Sequence, residues 1–174
     1  NNLKEKDFYY LGLLHFVAEN DVKSLEAMKK FLTEYPADVK GDMIQSARSY
    51  IVILSCRKKQ MADAEQYFQA WTKGEPFFIK QQPQLEQILS VGFFKDGQYE
   101  KAIQYGQEAF DLLKTLEATT PQSKRDKEQI YMNLVEVLAL SYKKNKNSDQ
   151  ALNILAEARA RSFTLPSANL YRKV

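Results

Sequence analysis

The sequence feature that most constrains this chain is a group of small and apolar residues that recurs along it at helical spacing. In the clearest copy, Gly97 lies at a turn, an aromatic follows two residues later, and Ala102 and Ala109 come seven residues apart. The arrangement recurs at Ala151 and Ala158, at Ala64, Phe68 and Trp71, and at Ser24, Met28 and Phe31. Small residues two turns apart let a neighbouring helix approach closely, so the pattern predicts packed α-helices.

Each of these helices follows another helix with its own apolar stripe, and a short polar turn joins the two. The turns lie at Asn20-Asp21, Lys59-Gln60, Asp96-Gly97 and Asn145-Lys146-Asn147. The pattern predicts four antiparallel helix pairs, at approximately 3–36, 42–76, 83–118 and 123–162, with a C-terminal partial helix at 167–174. We expect a single helical-repeat domain over residues 1–174, and we expect it to be an excerpt of a longer chain.

Local signals predict where several helices begin. Asp42 is expected to cap the third helix and Ser148 the eighth. Ser123 and Asp126, three residues apart, resemble a capping box for the seventh. Pro83 suits the first turn of the fifth helix, because its missing N–H would be unpaired there in any case.

The pattern resembles the tetratricopeptide repeat, which wants a bulky residue, Leu, a small residue and Tyr on its first helix, then Ala, an aromatic and Ala on its second. The residues that are expected to pack the repeats are Leu11, Gly12, Ser24, Ala64, Phe68, Trp71, Tyr99, Ala102, Ala109, Leu138, Ala139, Tyr142, Ala151 and Ala158. Gly106 departs from the family pattern, since an aromatic is preferred there. The resemblance implies an all-α fold, specifically a right-handed α-α superhelix of about four antiparallel helix pairs.

In superhelices of this kind the first helix of each pair lines a concave groove. Three aligned positions on these helices give the expected peptide-binding residues Tyr9, Leu13, Phe16, Ser49, Ile53, Gln87, Val91, Phe94, Glu136 and Leu140. Beside them lies an expected basic rim of Arg57, Lys95, Lys143 and Lys144. A purely structural origin of both patterns stays open, because the helix dipole favours cations near helix C-termini and the apolar positions could belong to the core.

Composition argues against catalysis and metal binding. The chain has one His and one Cys, too few for a disulfide framework or for a multi-His metal site. We expect a structural role for His15 and a small buried thiol for Cys56. In the alternative interpretation of Cys56, the cations of Arg57, Lys58 and Lys59 lower the pKa of an exposed, reactive thiol. No catalytic residue, metal ligand or cofactor is expected.

The charge and hydropathy of the chain narrow the choice of partner. A net charge of +3 is too small for a nucleic-acid footprint, and no apolar stretch is long enough for membrane insertion. We expect a non-catalytic scaffold or adaptor that binds a protein or peptide segment. Formation of a homodimer is compatible with this expectation. The expected location is cytoplasmic, with a periplasmic one left open. Two alternatives remain: the peptide-sensing, dimerising domain of a bacterial helix-turn-helix transcription factor, or an accessory helical domain of a larger enzyme.

Overall fold

The computed structural model describes residues 5–34, 41–74 and 78–160, and the regular structure in these ranges is entirely α-helical. The helices are α1 (Glu5–Val17), α2 (Asp21–Glu34), α3 (Gly41–Arg57), α4 (Met61–Thr72), α5 (Gln82–Lys95), α6 (Tyr99–Thr115), α7 (Pro121–Lys144) and α8 (Ser148–Ala160). The all-α prediction is therefore confirmed. The partial helix predicted at 167–174 lies outside the described residues.

The helices form two compact units. The first, Asn1–Phe78, contains α1 to α4, and the second, Ile79–Val174, contains α5 to α8. Within each unit every helix packs against the next one along the chain, and in the second unit α5 also packs against α7. Each unit therefore holds two antiparallel helical hairpins, which is the packing expected of a helical repeat.

The turns inside the four hairpins share one backbone geometry. Each contains a residue with positive φ, namely Glu19 (56°), Lys59 (58°), Gly97 (80°) and Lys146 (60°). The N–H of the next residue then donates to the carbonyl oxygen five residues earlier, as Asn20 does to His15 and Gln98 does to Phe93, at 2.8 and 2.9 Å. These features define the Schellman ending of a helix, in which the left-handed residue reverses the chain.

A pair of small or β-branched residues recurs at equivalent places on the two helices of each hairpin. The first member comes seven residues before the positive-φ residue and the second five residues after it. All members are buried, and the pairs are Gly12/Ser24, Val52/Ala64, Ser90/Ala102 and Ala139/Ala151. We call the first members, Gly12, Val52, Ser90 and Ala139, the crossing residues; Val52 and Ser90 were not among the packing residues expected from the sequence.

Two of these crossings are joined by a buried hydrogen bond. The Ser24 hydroxyl donates to the carbonyl oxygen of Gly12 at 2.8 Å, and the Ser90 hydroxyl donates to that of Ala102 at 2.7 Å. The serine is on the second helix in one hairpin and on the first helix in the other. The side chain is small enough for close helix approach in both, and its polar atom is satisfied by backbone.

Each unit has its own apolar core. In the first unit it includes Leu25, Met28, Phe31, Ala47, Ile51 and Leu54. In the second it includes Ala109, Phe110, Leu113, Tyr131, Leu134, Val135, Leu138, Ala139, Ile154, Leu155 and Ala158. Of the predicted packing residues, Leu11, Tyr99 and Tyr142 are half-buried and the others are buried.

Gly106 on α6 is explained by close packing inside the second unit. A Cβ atom on this residue would lie 2.8 Å from both Leu138 Cδ2 and Ser90 Oγ. An aromatic side chain, which the repeat pattern prefers here, has no room. The departure from the pattern therefore has a local cause: Ser90 on α5 and Leu138 on α7 occupy the space that an aromatic side chain at position 106 would need.

The start of α7 corrects one capping prediction. The hydroxyl of Thr120 accepts from the backbone N–H of Ser123, and the hydroxyl of Ser123 accepts from the N–H of Thr120, both at 3.0 Å. The capping box is therefore Thr120 with Ser123, and the predicted box of Ser123 with Asp126 is wrong by three residues. Pro121 explains the difference, because it occupies the first helical position and fixes the start of the helix one turn earlier.

Two other predicted caps are also wrong, and Pro83 is correctly placed. Asn147 Oδ1 accepts from the N–H of Gln150 at 3.2 Å, so Asn147 caps α8 and Ser148 is its first residue. Asp42 lies inside the first turn of α3, since that helix begins at Gly41. Pro83 lies in the first turn of α5, as expected.

Candidate functional site

The first helices of the four hairpins, α1, α3, α5 and α7, carry the residues predicted to line a groove. These residues lie at equivalent places in the structure: three residues before, one after and four after the crossing residue of each hairpin. Nine of the ten are half-buried, and Glu136 is exposed. Since the two units are separate bodies, we describe a unit 1 face, made of Tyr9, Leu13, Phe16, Ser49 and Ile53, and a unit 2 face, made of Gln87, Val91, Phe94, Glu136 and Leu140.

The unit 1 face is held together by side-chain contacts between α1 and α3. The hydroxyl groups of Tyr9 and Ser46 share a 2.8 Å hydrogen bond. The rings of Phe16 and Tyr50 meet edge to face, with their centroids 4.8 Å apart. Tyr9 and Phe16 also pack against the core of the unit, so their half-exposed rings are fixed in place. A rigid aromatic surface of this kind binds at a low cost in conformational entropy.

Two further residues of the unit 1 face, Ile53 and Ser49, lie on α3. Ile53 is half-buried and lies one residue after the crossing residue Val52. Ser49, one turn earlier, donates its hydroxyl hydrogen to the carbonyl oxygen of Ser46 at 2.7 Å, a bond within its own helix. The face therefore presents an aliphatic side chain between aromatic and hydroxyl groups.

The unit 2 face is more polar at its edge. Phe94 packs against Tyr99 across the turn of its hairpin, with ring centroids 5.8 Å apart, and Leu140 packs against the core of the unit. Val91 and Gln87 are half-buried on α5, while Glu136 on α7 points to solvent. This face combines an aliphatic centre with an amide and a carboxylate, so it can make apolar and hydrogen-bonded contacts.

The four cations predicted as a basic rim have different surroundings. In the first unit, Arg57 Nη1 is 3.2 Å from Asp21 Oδ1, and its guanidinium lies 5.0 Å from the ring centroid of Phe16. Arg57 is therefore engaged by its own unit. In the second unit, Lys95, at the end of α5, and Lys143 and Lys144, at the end of α7, are all exposed. Lys95 and Lys144 are consequently the stronger candidates for contact with an acidic partner.

Cys56 and His15 are both half-buried on first helices. Burial raises the pKa of the Cys56 thiol to about 12, so the group is a protonated thiol at neutral pH despite the neighbouring cations. This agrees with a structural cysteine and argues against the alternative of a reactive thiol. His15 lies three residues after Gly12, at the position that Ser55, Phe93 and Tyr142 occupy in the other hairpins.

No cluster of three or more His, Cys, Asp or Glu side chains suited to a metal ion occurs among residues 5–34, 41–74 and 78–160. In the same part of the chain, no helix has the length and hydropathy needed to span a bilayer.

Glu86 is a buried acidic residue that sequence reasoning missed. Its side chain on α5 is only 1% exposed; Oε1 accepts a 2.6 Å hydrogen bond from Gln82, and Oε2 has no hydrogen-bond partner. Burial, reinforced by the like charge of Glu108 and opposed by the Gln82 bond, raises the pKa of Glu86 to about 7. The available signal was positional and incomplete, because Phe8 and Val135 occupy the same place in two other hairpins and Arg48 occupies it in the remaining one.

The fold and these faces define the class: an all-α protein built from helical hairpins of one design, with a partly exposed face on the first helices of each unit. Comparison with models of known protein families gave no match, and comparison with curated protein sequences gave none either.

Proposed function

We propose that this chain is a tetratricopeptide-like repeat module that binds an extended or helical peptide segment of a partner protein and performs no catalysis. The observation that carries the proposal is the equivalence of the unit 1 and unit 2 faces. Each places partly exposed side chains three residues before, one after and four after a crossing residue. Helical repeats bind through surfaces that present the same positions in successive copies.

The chemistry of the faces supports a partner with apolar anchor residues. Ile53 and Val91 stand at the same place in their hairpins, one residue after Val52 and Ser90, and both are half-buried. Neighbouring aromatic rings are already fixed by internal contacts, so they add contact area with little loss of side-chain freedom. Apolar anchors flanked by polar groups are the usual basis of peptide recognition in a groove.

Charge supports an acidic residue beside the anchor on the unit 2 side. Lys95 and Lys144 are exposed, and neither has an ion-pair partner within the described part of the chain. Cations at the ends of α5 and α7 are also favoured by the helix dipole. Binding therefore has to be tested by mutation of the apolar centre rather than of these lysines alone.

The test begins with selection of peptides from a displayed random library against the full chain, followed by titration of a selected peptide. The double variant Ile53→Asp with Val91→Asp should weaken binding by at least about tenfold, because it places charge at both anchor positions. Val22→Asp is the matched control, since Val22 is 47% exposed on the second helix α2 and belongs to neither face, so it should keep the parent affinity.

Circular dichroism and urea unfolding establish that the variants are folded before the titrations are compared. The proposal is overturned if no peptide is selected above background, or if folded Ile53/Val91 double variants bind as tightly as the Val22→Asp control. Phe16 and Phe94 are poorer test positions, because their rings already pack against Tyr50 and Tyr99 and their loss would also weaken the fold.

A further inference from the structure

The linker between the third and fourth hairpins interrupts the repeat. Successive positive-φ residues are 40, 38 and 49 residues apart, so the last interval is the longest. The additional residues form an extended segment after α6 and lengthen α7 to 24 residues. Insertions into a repeat are not needed for stacking and are common places for binding sites.

A pocket of about 840 Å³ lies at this insertion, entirely inside the second unit. Its walls come from the end of α6, the linker and the first turns of α7. Carbon atoms of Leu116, Ala118 and Tyr131 contribute to its apolar lining. The volume is in the range typical of small-molecule sites, which are mostly apolar with a few polar groups.

Two of the lining residues, Tyr131 and Lys127, are held by contacts within the second unit. The ring of Tyr131 is 7% exposed and stacks on Phe110, with centroids 5.0 Å apart. Lys127 Nζ donates to the carbonyl oxygen of Leu116 at 2.5 Å, which ties the linker to α7. A ligand can therefore use a preformed apolar wall without first ordering the linker.

Lysines outnumber carboxylates around the pocket. Lys114, Lys124 and Lys127 line it together with Glu117 and Glu128. Lys114 is already bonded to Asp111 and Glu157, both at 3.1 Å, and Lys127 to the linker, as described above. The Lys124 side chain is exposed and has no hydrogen bond or ion pair with any described residue, so its ammonium is available to a ligand.

Helix stability does not account for Lys124. It is the fourth residue of α7, where the helix dipole disfavours a cation. The backbone N–H of Ser123 is already bonded to Thr120, so the lysine ammonium rather than the helix terminus is the group that would contact an anion. An exposed lysine that lines an apolar pocket is the arrangement expected for an amphipathic anion.

We propose that this pocket binds a small organic anion, with an apolar chain or ring against Leu116, Ala118 and Tyr131 and a carboxylate at Lys124. The site is independent of the unit 1 and unit 2 faces. Glu117, on the linker, also lines the pocket and would repel an anion placed beside it.

Octanoate is a suitable probe, because it pairs an apolar chain with a carboxylate. Titrated into the full chain below its micelle concentration, it should give saturable NMR shifts of backbone amides in residues 114–131. Octylamine, which has the same chain and the opposite charge, should bind at least about tenfold more weakly if Lys124 contacts the head group.

Lys124→Glu is the test variant and Lys146→Glu the matched control, since both lysines are exposed in the second unit and, of the two, only Lys124 lines the pocket. Lys124→Glu should weaken octanoate binding by about tenfold or more, while Lys146→Glu should leave it within about twofold. The proposal is overturned if octanoate gives no saturable shifts in this segment, if octylamine binds equally well, or if the two variants have the same affinity.

Discussion

The hydroxyl of Ser90 on α5 donates a 2.7 Å hydrogen bond to the carbonyl oxygen of Ala102 on α6, at the point where the two helices cross. Ser24 and Gly12 form the corresponding bond in the first hairpin, with donor and acceptor helices exchanged. The two crossings thus share small side chains, whereas the residue types and the direction of the hydrogen bond differ between them.

Enlarging a crossing should weaken the fold. Ala102→Leu and Ala151→Leu each add volume where no side-chain atom is exposed, so we expect a loss of about 1–3 kcal/mol from overpacking. Ala62→Leu on α4 is the control, because Ala62 is exposed and should tolerate the change. Urea unfolding measures the difference. Equal stability of the Ala62 and Ala102 variants would contradict close packing at the crossing.

The turns allow stabilisation by glycine. Lys59 has a φ of 58°, a conformation that costs a non-glycine residue about 1 kcal/mol, so Lys59→Gly should raise the free energy of unfolding by up to that amount. Gly97→Ala should lower it similarly, since φ there is 80° although no atom lies near the added methyl group. Gln104→Gly, inside α6, should instead lose about 1 kcal/mol. A destabilised Lys59→Gly variant would contradict the turn geometry.

Glu86 should make stability depend on pH. Its pKa is raised from 4.5 to about 7 in the folded state, so its contribution is complete below pH 4.5 and is lost as pH rises towards 7. Glu86→Gln should remove this dependence and should be more stable than the parent at pH 8, by up to about 3 kcal/mol. Unfolding in urea at pH 4.5 and pH 8 tests the difference.

Glu100→Gln is the control for the pH experiment, because it makes the same carboxylate-to-amide change at an exposed position. The difference in unfolding free energy between pH 4.5 and pH 8 should stay that of the parent protein. Glu108→Gln should reduce the pH dependence without abolishing it, since Glu108 raises the pKa of Glu86 less than burial does. If Glu86→Gln retained the pH dependence of the parent, the titration would have to be assigned to other groups.

Cys56 should react slowly with thiol reagents. A pKa of about 12, against 9.0 for an ordinary thiol, lowers the thiolate fraction at neutral pH by about a thousandfold. Since the chain has one cysteine, colour development with an aromatic disulfide reports on this thiol alone. The reaction should accelerate to the rate of a free thiol in urea. Rapid reaction of the native protein would restore the reactive-thiol interpretation.

The hairpins could be predicted from sequence because their packing residues recur at fixed offsets. Ala64, Ala102 and Ala151 were sufficient to place three of the crossings on their second helices. The turn geometry was harder to predict, because Glu19, Lys59 and Lys146 occupy positions where glycine is usual. Their conformation is imposed by the two packed helices rather than by local preference.

The candidate sites were predicted less completely. The aligned positions of the two faces followed from the repeat, since each position depends only on its distance from a crossing residue. The burial of Glu86 depends on the helix surfaces packed around it, and its place in the repeat is a weak signal, because Phe8, Arg48 and Val135 occupy that place in the other hairpins. The pocket at Lys124 depends on the path of the linker, which has no periodic pattern to predict it.

The buried hydrogen bonds at two of the crossings join residues only twelve apart in the chain. Partners so near in sequence find one another rapidly, and closure of a short loop costs little entropy. During synthesis, both helices of a hairpin would emerge, and their mutual contacts would form, before the following hairpin leaves the ribosome. Assembly in order along the chain would then keep the apolar surface awaiting its neighbour small at every stage, which limits the opportunity for aggregation.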